Sequence, residues 1–181
     1  MALTEGTHTL GPQSGSLLLR TGRAGLGRKA GHDLTIEATG WSADVTVATP
    51  ESSSVAVTVE VGALEVREGT GGALPLGDSD RADIKKHLRK ILQADRHPTI
   101  TFRSTRVRGT PEDFTVEGDL TIAGTTRTAV VRGVAGDGRV RGGTTVVQTE
   151  FGIKPYSAFF GALKLADEVE VAFDLAVDPA G

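Results

Sequence analysis

Val116-Glu117-Gly118-Asp119-Leu120-Thr121-Ile122-Ala123-Gly124 is the stretch that decides the fold class. With Phe114 before it, Val116, Gly118, Leu120 and Ile122 share one face, while Thr115, Glu117, Asp119 and Thr121 share the other. A period of two marks a strand with one buried and one wet side. Ala123-Gly124-Thr125-Thr126 turns the chain. Arg127 to Val134 then returns with β-branched residues at Thr128, Val130, Val131 and Val134. Upstream, Ile100 and Phe102 repeat the pattern after His97-Pro98. Three consecutive strands with one apolar face each need a cover, and the rest of the chain supplies more sheet.

The same alternation runs from His32 through Leu34, Ile36 and Ala38, and from Trp41 through Ala43, Val45 and Val47. It continues through Val55, Val57, Val59 and Val61. With Gly40 read as a tight connection, these three segments predict an antiparallel meander. Thr7–Leu10 and Ser16–Thr21 predict two further strands near the start. Gly136-Asp137-Gly138 predicts a hairpin turn leading into a strand over 139–149. A last strand alternates Val169, Val171, Phe173, Leu175 and Val177 against acidic and small residues. One amphipathic helix is predicted near residues 80–94, with Asp80 as N-cap, Asp83 in its first turn and Ile84, Leu88, Ile91 and Leu92 on one face.

At 181 residues, with a formal net charge of −3, the chain is read as a single domain, 1–181, and not as a nucleic-acid binder. It has no cysteine, which excludes disulfides, thiolate metal sites and a cysteine nucleophile. No basic and apolar leader opens it, so a cytoplasmic location is expected. The basic glycine-rich segment 22–31 resembles a phosphate loop only loosely, because a strand pattern follows where a helix is required.

About eight long strands and one helix leave no second layer to cover a sheet face. The fold class is therefore all-β: an extended antiparallel up-and-down barrel of about eight strands. A barrel of that size is filled by large side chains or holds one small ligand. Its inward set is rich in Val, Ala, Gly and Thr, and aromatics make up only 4% of the chain, so an apolar cavity is expected. An empty apolar cavity destabilises by about 24 cal/mol per Å³, and an apolar guest would offset that.

Asp95-Arg96-His97-Pro98-Thr99-Ile100-Thr101-Phe102-Arg103-Ser104, the run Val116–Arg127, Phe151-Gly152-Ile153 and the helical His87-Leu88-Arg89 together resemble the YceI-like family, over roughly Gly31 to Val177. The resemblance implies a lipocalin-like barrel holding a polyisoprenoid chain, such as a quinone tail, in a family with no established catalytic residues. The chain departs from the family in two places. Pro12-Gln13-Ser14-Gly15 stands where a histidine-serine pair is common, and Ile91-Leu92 where an aromatic pair is usual. Gly31-His32-Asp33-Leu34 is similar to a segment of cytoplasmic relatives.

The expected function is non-enzymatic binding, sequestration or transport of a long apolar amphiphile, with no required cofactor and an isoprenoid lipid or quinone as the guest. The lumen candidates are His32, Leu34, Ile36, Val45, Val57, Phe102, Leu120, Ile122, Phe151 and Phe173. Tyr156, Phe159 and Phe160 are lid candidates, because aromatics concentrate in that connecting segment. His32 shares the phase of Leu34 and Ile36. Its ordinary reading is a buried neutral imidazole, and its functional reading is an anchor for a ligand headgroup. Lys85, Lys86, Arg89 and Lys90 read ordinarily as a solvated helix face, and more sharply as a transient contact with anionic lipid. A homodimer stays open. The alternative is a stress-response or protein-interaction module with a self-filled lumen; a third class is a haem or small-molecule enzyme using His32. No metal site is expected, since the four histidines lack ligand spacing, and no Gly-x-Ser-x-Gly elbow is present.

Overall fold

The computed structural model describes residues 4–24, 33–70, 77–155, 157–158 and 163–177. The strands are β1 (Gly6–Leu10), β2 (Gly15–Ala24), β3 (Asp33–Ala38), β4 (Trp41–Val47), β5 (Ser54–Glu60) and β6 (Leu64–Thr70). After α1 (Asp78–Ile91) come β7 (Thr99–Gly109), β8 (Asp113–Ile122), β9 (Thr125–Gly136), β10 (Arg139–Val147), the short β11 (Ser157–Ala158) and β12 (Leu163–Ala176). All form one antiparallel sheet in the order β1-β4-β5-β7-β8-β9-β10-β12-β2-β3-β6, with β11 against β12.

That order looks open, yet two short connections bring its distant members together. β3 and β4 are joined only through Thr39 and Gly40, and β5 and β6 only through the turn Val61–Ala63. Backbone bonds continue the pairing through the corner: Thr39 N–H to the Ala63 carbonyl at 2.8 Å, and Glu60 N–H to the Gly40 carbonyl at 2.9 Å. β3-β4 and β5-β6 are thus two bent strands, paired along their lengths. Counting each bent strand once, the circuit β2, β3-β4, β5-β6, β7, β8, β9, β10, β12 has eight members and returns to β2. The sheet curls into a barrel joined at a corner. Glycine is required at the bend, because a Cβ on Gly40 would lie 2.6 Å from Glu60 Oε2 and 2.8 Å from the Ala63 Cβ.

Several sequence expectations are corrected in detail. β3 does not pair with β4, so the chain at Gly40 continues around a corner instead of reversing into a meander; β4 and β5 do form the expected pair. β6 is an addition to the expected strands: Leu64 and Val66 alternate with Glu65 and Arg67, but only over four residues before the glycine-rich segment that begins at Gly69. The strand expected over 139–149 ends at Val147, where the 3-10 turn Gln148–Phe151 begins. The helix starts earlier than expected: Gly77 is the N-cap, and Asp80 sits at the third helical position, accepting from the Gly77 N–H at 2.9 Å. That carboxylate still satisfies an orphan donor, but from inside the first turn.

The tight turns follow the expected chemistry. Asp137 and Gly138 both carry positive φ between β9 and β10, as a primed hairpin turn demands. The core runs along the inner face, and Ile36, Val61 and Leu64 are its most deeply sealed members. Ile84, Leu88 and Ile91 of α1 pack against it, and Leu92 is buried. The helix sits on β6 and the Val61–Ala63 turn, where Lys85 pairs with Glu65.

Candidate ligand cavity

Inward side chains of the curled sheet leave a cavity of about 1690 Å³. Pockets that enclose drug-sized molecules span roughly 300–1,000 Å³, so this space exceeds the needs of a compact ligand. Val45 on β4, Val57 on β5 and Leu120 on β8 stand on its wall, as do Leu34 and Ile36 of β3, Phe102 of β7, Ile122 of β8 and Phe173 of β12. Their positions follow from strand alternation alone.

Phe151 is placed differently. It is buried, at 4% exposure, but does not line the cavity. It ends the 3-10 turn that follows β10 and packs into the core cluster; counted in twos from Val146 and Gln148, position 151 would face outward, so the turn is what brings the ring into the core. His32, Tyr156, Phe159 and Phe160 lie outside the described residues.

Part of the lining is not foreseen in the sequence. Ile84, Leu88 and Ile91 of α1 form one wall, so the helix face that packs on the barrel also faces the cavity. Their spacing identifies a buried stripe, but not what it covers. Val140 and Val146 of β10 and Val169 and Val171 of β12 complete the opposite side. Polar residues on the wall come from several places, among them His8, Thr46, Ser54, Arg108 and Thr144 of the strands. Asp80, Asp83, Lys86, His87 and Lys90 come from α1. Thr21 and Gln148 are the two buried polar side chains among the described residues, and both touch the cavity.

The basic residues of α1 do not act as one array. Lys85 is turned onto Glu65, and Arg81 pairs with Asp78 at 3.3 Å. Lys86 and Lys90, one turn apart, stand at the cavity, while Arg89 is exposed. Among the described residues no group of three or more metal-ligating side chains converges, and no helix is long and apolar enough to cross a membrane.

Known proteins share this geometry. The family model for the YceI-like domain matches residues 23–177. A UPF0312 protein of Azotobacter vinelandii is 31% identical over 120 residues, 59% of this chain and 56% of that protein. A UPF0312 protein of Pectobacterium carotovorum is 40% identical over 52 residues, covering 28% of this chain and 27% of the relative. The matched part thus spans about half or less of these relatives' lengths. Among solved structures, Burkholderia cenocepacia BcnA has a TM-score of 0.63 at 17% identity, covering 90% of this chain and 96% of that one. A Campylobacter jejuni YceI protein has a TM-score of 0.58 at 14% identity, covering 77% and 81%. At those identities the likeness is one of fold.

Proposed function

Since this chain belongs to the YceI-like family, we propose that its barrel binds a long apolar amphiphile, an isoprenoid lipid or isoprenoid quinone, and sequesters or carries it without chemical change. The observation that carries this reading is the cavity of about 1690 Å³ bounded by Val, Leu, Ile and Phe from nearly every strand and from α1. Such a wall offers no directional chemistry over most of its area. It gains free energy from a guest by burying it, at about 0.8 kcal/mol per methylene before the cost of ordering the chain. Length is therefore what the wall rewards.

The test is native mass spectrometry of the protein purified from its own host, followed by organic extraction and displacement of a fluorescent apolar probe by farnesol. A copurifying lipid, or saturable displacement with one-to-one stoichiometry, is the expected result. A protein with no adduct that also takes up no probe would overturn the reading and favour the interaction module.

Loading from a bilayer is part of the same proposal. Lys86 and Lys90 stand beside the cavity, where they would meet anionic headgroups at the point of entry. Flotation with vesicles containing phosphatidylglycerol is expected to weaken in the K86E/K90E variant. Flotation indifferent to lipid charge would remove this part.

A further inference from the structure

The cavity wall reaches solvent at two ends. At one, Asp80, Asp83, Lys86, His87 and Lys90 of α1 line the cavity and are exposed. At the other, Pro50, Ser54, Arg108, Gly109, Thr110 and Pro111 do the same. The two sets lie at opposite ends of β5: Ser54 opens that strand, and the turn Val61–Ala63, on which α1 rests, follows its last residue. β7 runs the other way, from Thr99 beside Glu60 to Gly109 at the second rim.

The second rim exists because two strands part there. β5 and β7 are paired from Glu60 back to Ala56, and the next amide, the Val55 N–H, goes to the Ser104 hydroxyl at 2.9 Å instead of to a main-chain carbonyl. β7 then shifts register against β8 between Ser104 and Arg106 and continues beside the turn Pro50–Ser52. Val55, Val107 and Phe114 line the cavity just inside this rim and are only half-buried. A lumen that ended blind here would bury them.

The two ends differ in chemistry. Among the described residues, every ionisable side chain on the wall belongs to α1 except His8 and Arg108. Both exceptions are engaged: His8 Nε2 donates to the Thr4 carbonyl at 2.8 Å, and Arg108 lies 3.7 Å from the Glu117 carboxylate. A polar headgroup therefore meets charge at α1, and an apolar chain meets little of it at the second rim. The distance between them is short for a long lipid. The ten residues of β8 span ~33 Å of strand, or ~25 Å along the axis at the tilt usual in barrels.

We propose that the lumen is a channel open at both ends, with the guest's polar end at α1 and its tail leaving between the turn Pro50–Ser52 and the β7–β8 hairpin. The barrel then sets no upper limit on chain length, and its guests include amphiphiles longer than itself. This rests on the reading of the barrel as an amphiphile carrier and adds a direction and a length rule to it.

The test uses all-trans norbixin, a rigid polyene with a carboxylate at each end that outspans the barrel and cannot double back inside it. Its binding is read from its own absorbance in the protein peak after gel filtration, with farnesol as competitor. Farnesol, short enough to lie wholly inside, is titrated by displacement of N-phenyl-1-naphthylamine. The wild type is expected to bind both. Val55→Trp and Val107→Trp, which narrow the second rim from its two sides, should leave farnesol unchanged and weaken norbixin about tenfold or more, since a carboxylate is not left unpaired in an apolar lumen. Two variants are run so that a folding defect in one does not decide the result. A wild type that binds farnesol but not norbixin has a blind end, which overturns the channel and leaves the carrier reading standing. Norbixin binding that both variants leave intact, or an equal loss of both ligands, also overturns it. If neither ligand binds the wild type, both readings fall.

Discussion

The tip of the Phe114 ring rests on Gly133, directly opposite it on β9: a Cβ built on Gly133 would lie 2.5 Å from Phe114 Cζ. The ring therefore leans sideways across the sheet instead of reaching toward the lumen axis. Two other wall aromatics do the same. A Cβ on Gly118 would lie 2.6 Å from Phe102 Cζ, and one on Gly142 would lie 2.8 Å from Phe173 Cζ. Glycines on neighbouring strands are thus the seats of these rings, a device that also shields bare backbone. This arrangement keeps the interior open even where large side chains line it.

Replacing Gly133 by Val should displace the Phe114 ring from its seat. The ring must swing inward or the strands must part, at a cost of about 1–3 kcal/mol for an overpacked site. The expected outcome is a lower urea midpoint together with a weaker affinity for long-chain ligands, and little change for a short one such as geraniol. Unchanged binding of both ligands would show that the ring does not govern cavity width.

The acid limb of stability should depend on Asp174. Arg139 Nε donates to its Oδ1 at 2.8 Å, and Arg141 Nε to its Oδ2 at 3.3 Å. The hydrogen bond from Arg139, with the charges of both arginines, holds the Asp174 carboxyl below its usual range, against a smaller opposing effect of burial. A carboxyl with a lower pKa folded than unfolded stabilises above its unfolded value and loses that contribution as pH falls through the folded value. The loss therefore begins near pH ~4 and continues below it. Denaturation of the wild type and Asp174→Asn should differ at pH 7 and converge in acid. Parallel curves across that range would contradict it. The side chains are partly exposed, so the difference should be small.

Ala123 has a φ of +48° in the turn between β8 and β9. A left-handed conformation costs an L-residue roughly 1–2 kcal/mol, partly offset in a glycine by its freer unfolded chain. Ala123→Gly should therefore raise stability by about 0.5–1 kcal/mol. The adjacent Gly124 is not open to the reverse change, because a Cβ there would lie 2.8 Å from the His97 ring. Thermal unfolding of Ala123→Gly and Gly124→Ala should move in opposite directions.

Much of the fold is legible in the sequence because strand alternation is a local signal. Leu34, Ile36, Val45, Val57, Phe102, Leu120, Ile122 and Phe173 can be put on the cavity wall by counting in twos. What the alternation cannot show is pairing between segments distant in sequence. The corner at Gly40 reads as a hairpin turn until the bonds of Glu60 to Gly40 and of Thr39 to Ala63 are seen. Phe151 departs from its expected place for a different reason: it lies past the end of β10, in a 3-10 turn that packs it into the core beside the cavity, and nothing in Gln148-Thr149-Glu150 announces that turn. Gln148 is likewise not foreseen on the wall: a lone glutamine after a strand has no motif, and its burial is made possible by the carbonyl of Ala166, presented by the irregular part of β12.

Trp41 gives a direct reading of whether the lumen is filled. It is the chain's one tryptophan, it is 7% exposed, and it forms part of the cavity wall at the start of β4. Its emission should be that of a shielded indole, and acrylamide dissolved in water should quench it poorly. A long-chain acid brominated at mid-chain is a different case, since heavy-atom quenching needs contact and the guest must enter the cavity to make it. Saturable quenching by the brominated chain, relieved by excess farnesol, is therefore expected of a lumen that takes up apolar chains. If the brominated chain displaces a surface-bound dye yet leaves the tryptophan emission untouched, the binding lies outside the barrel, and the inner wall is not the site.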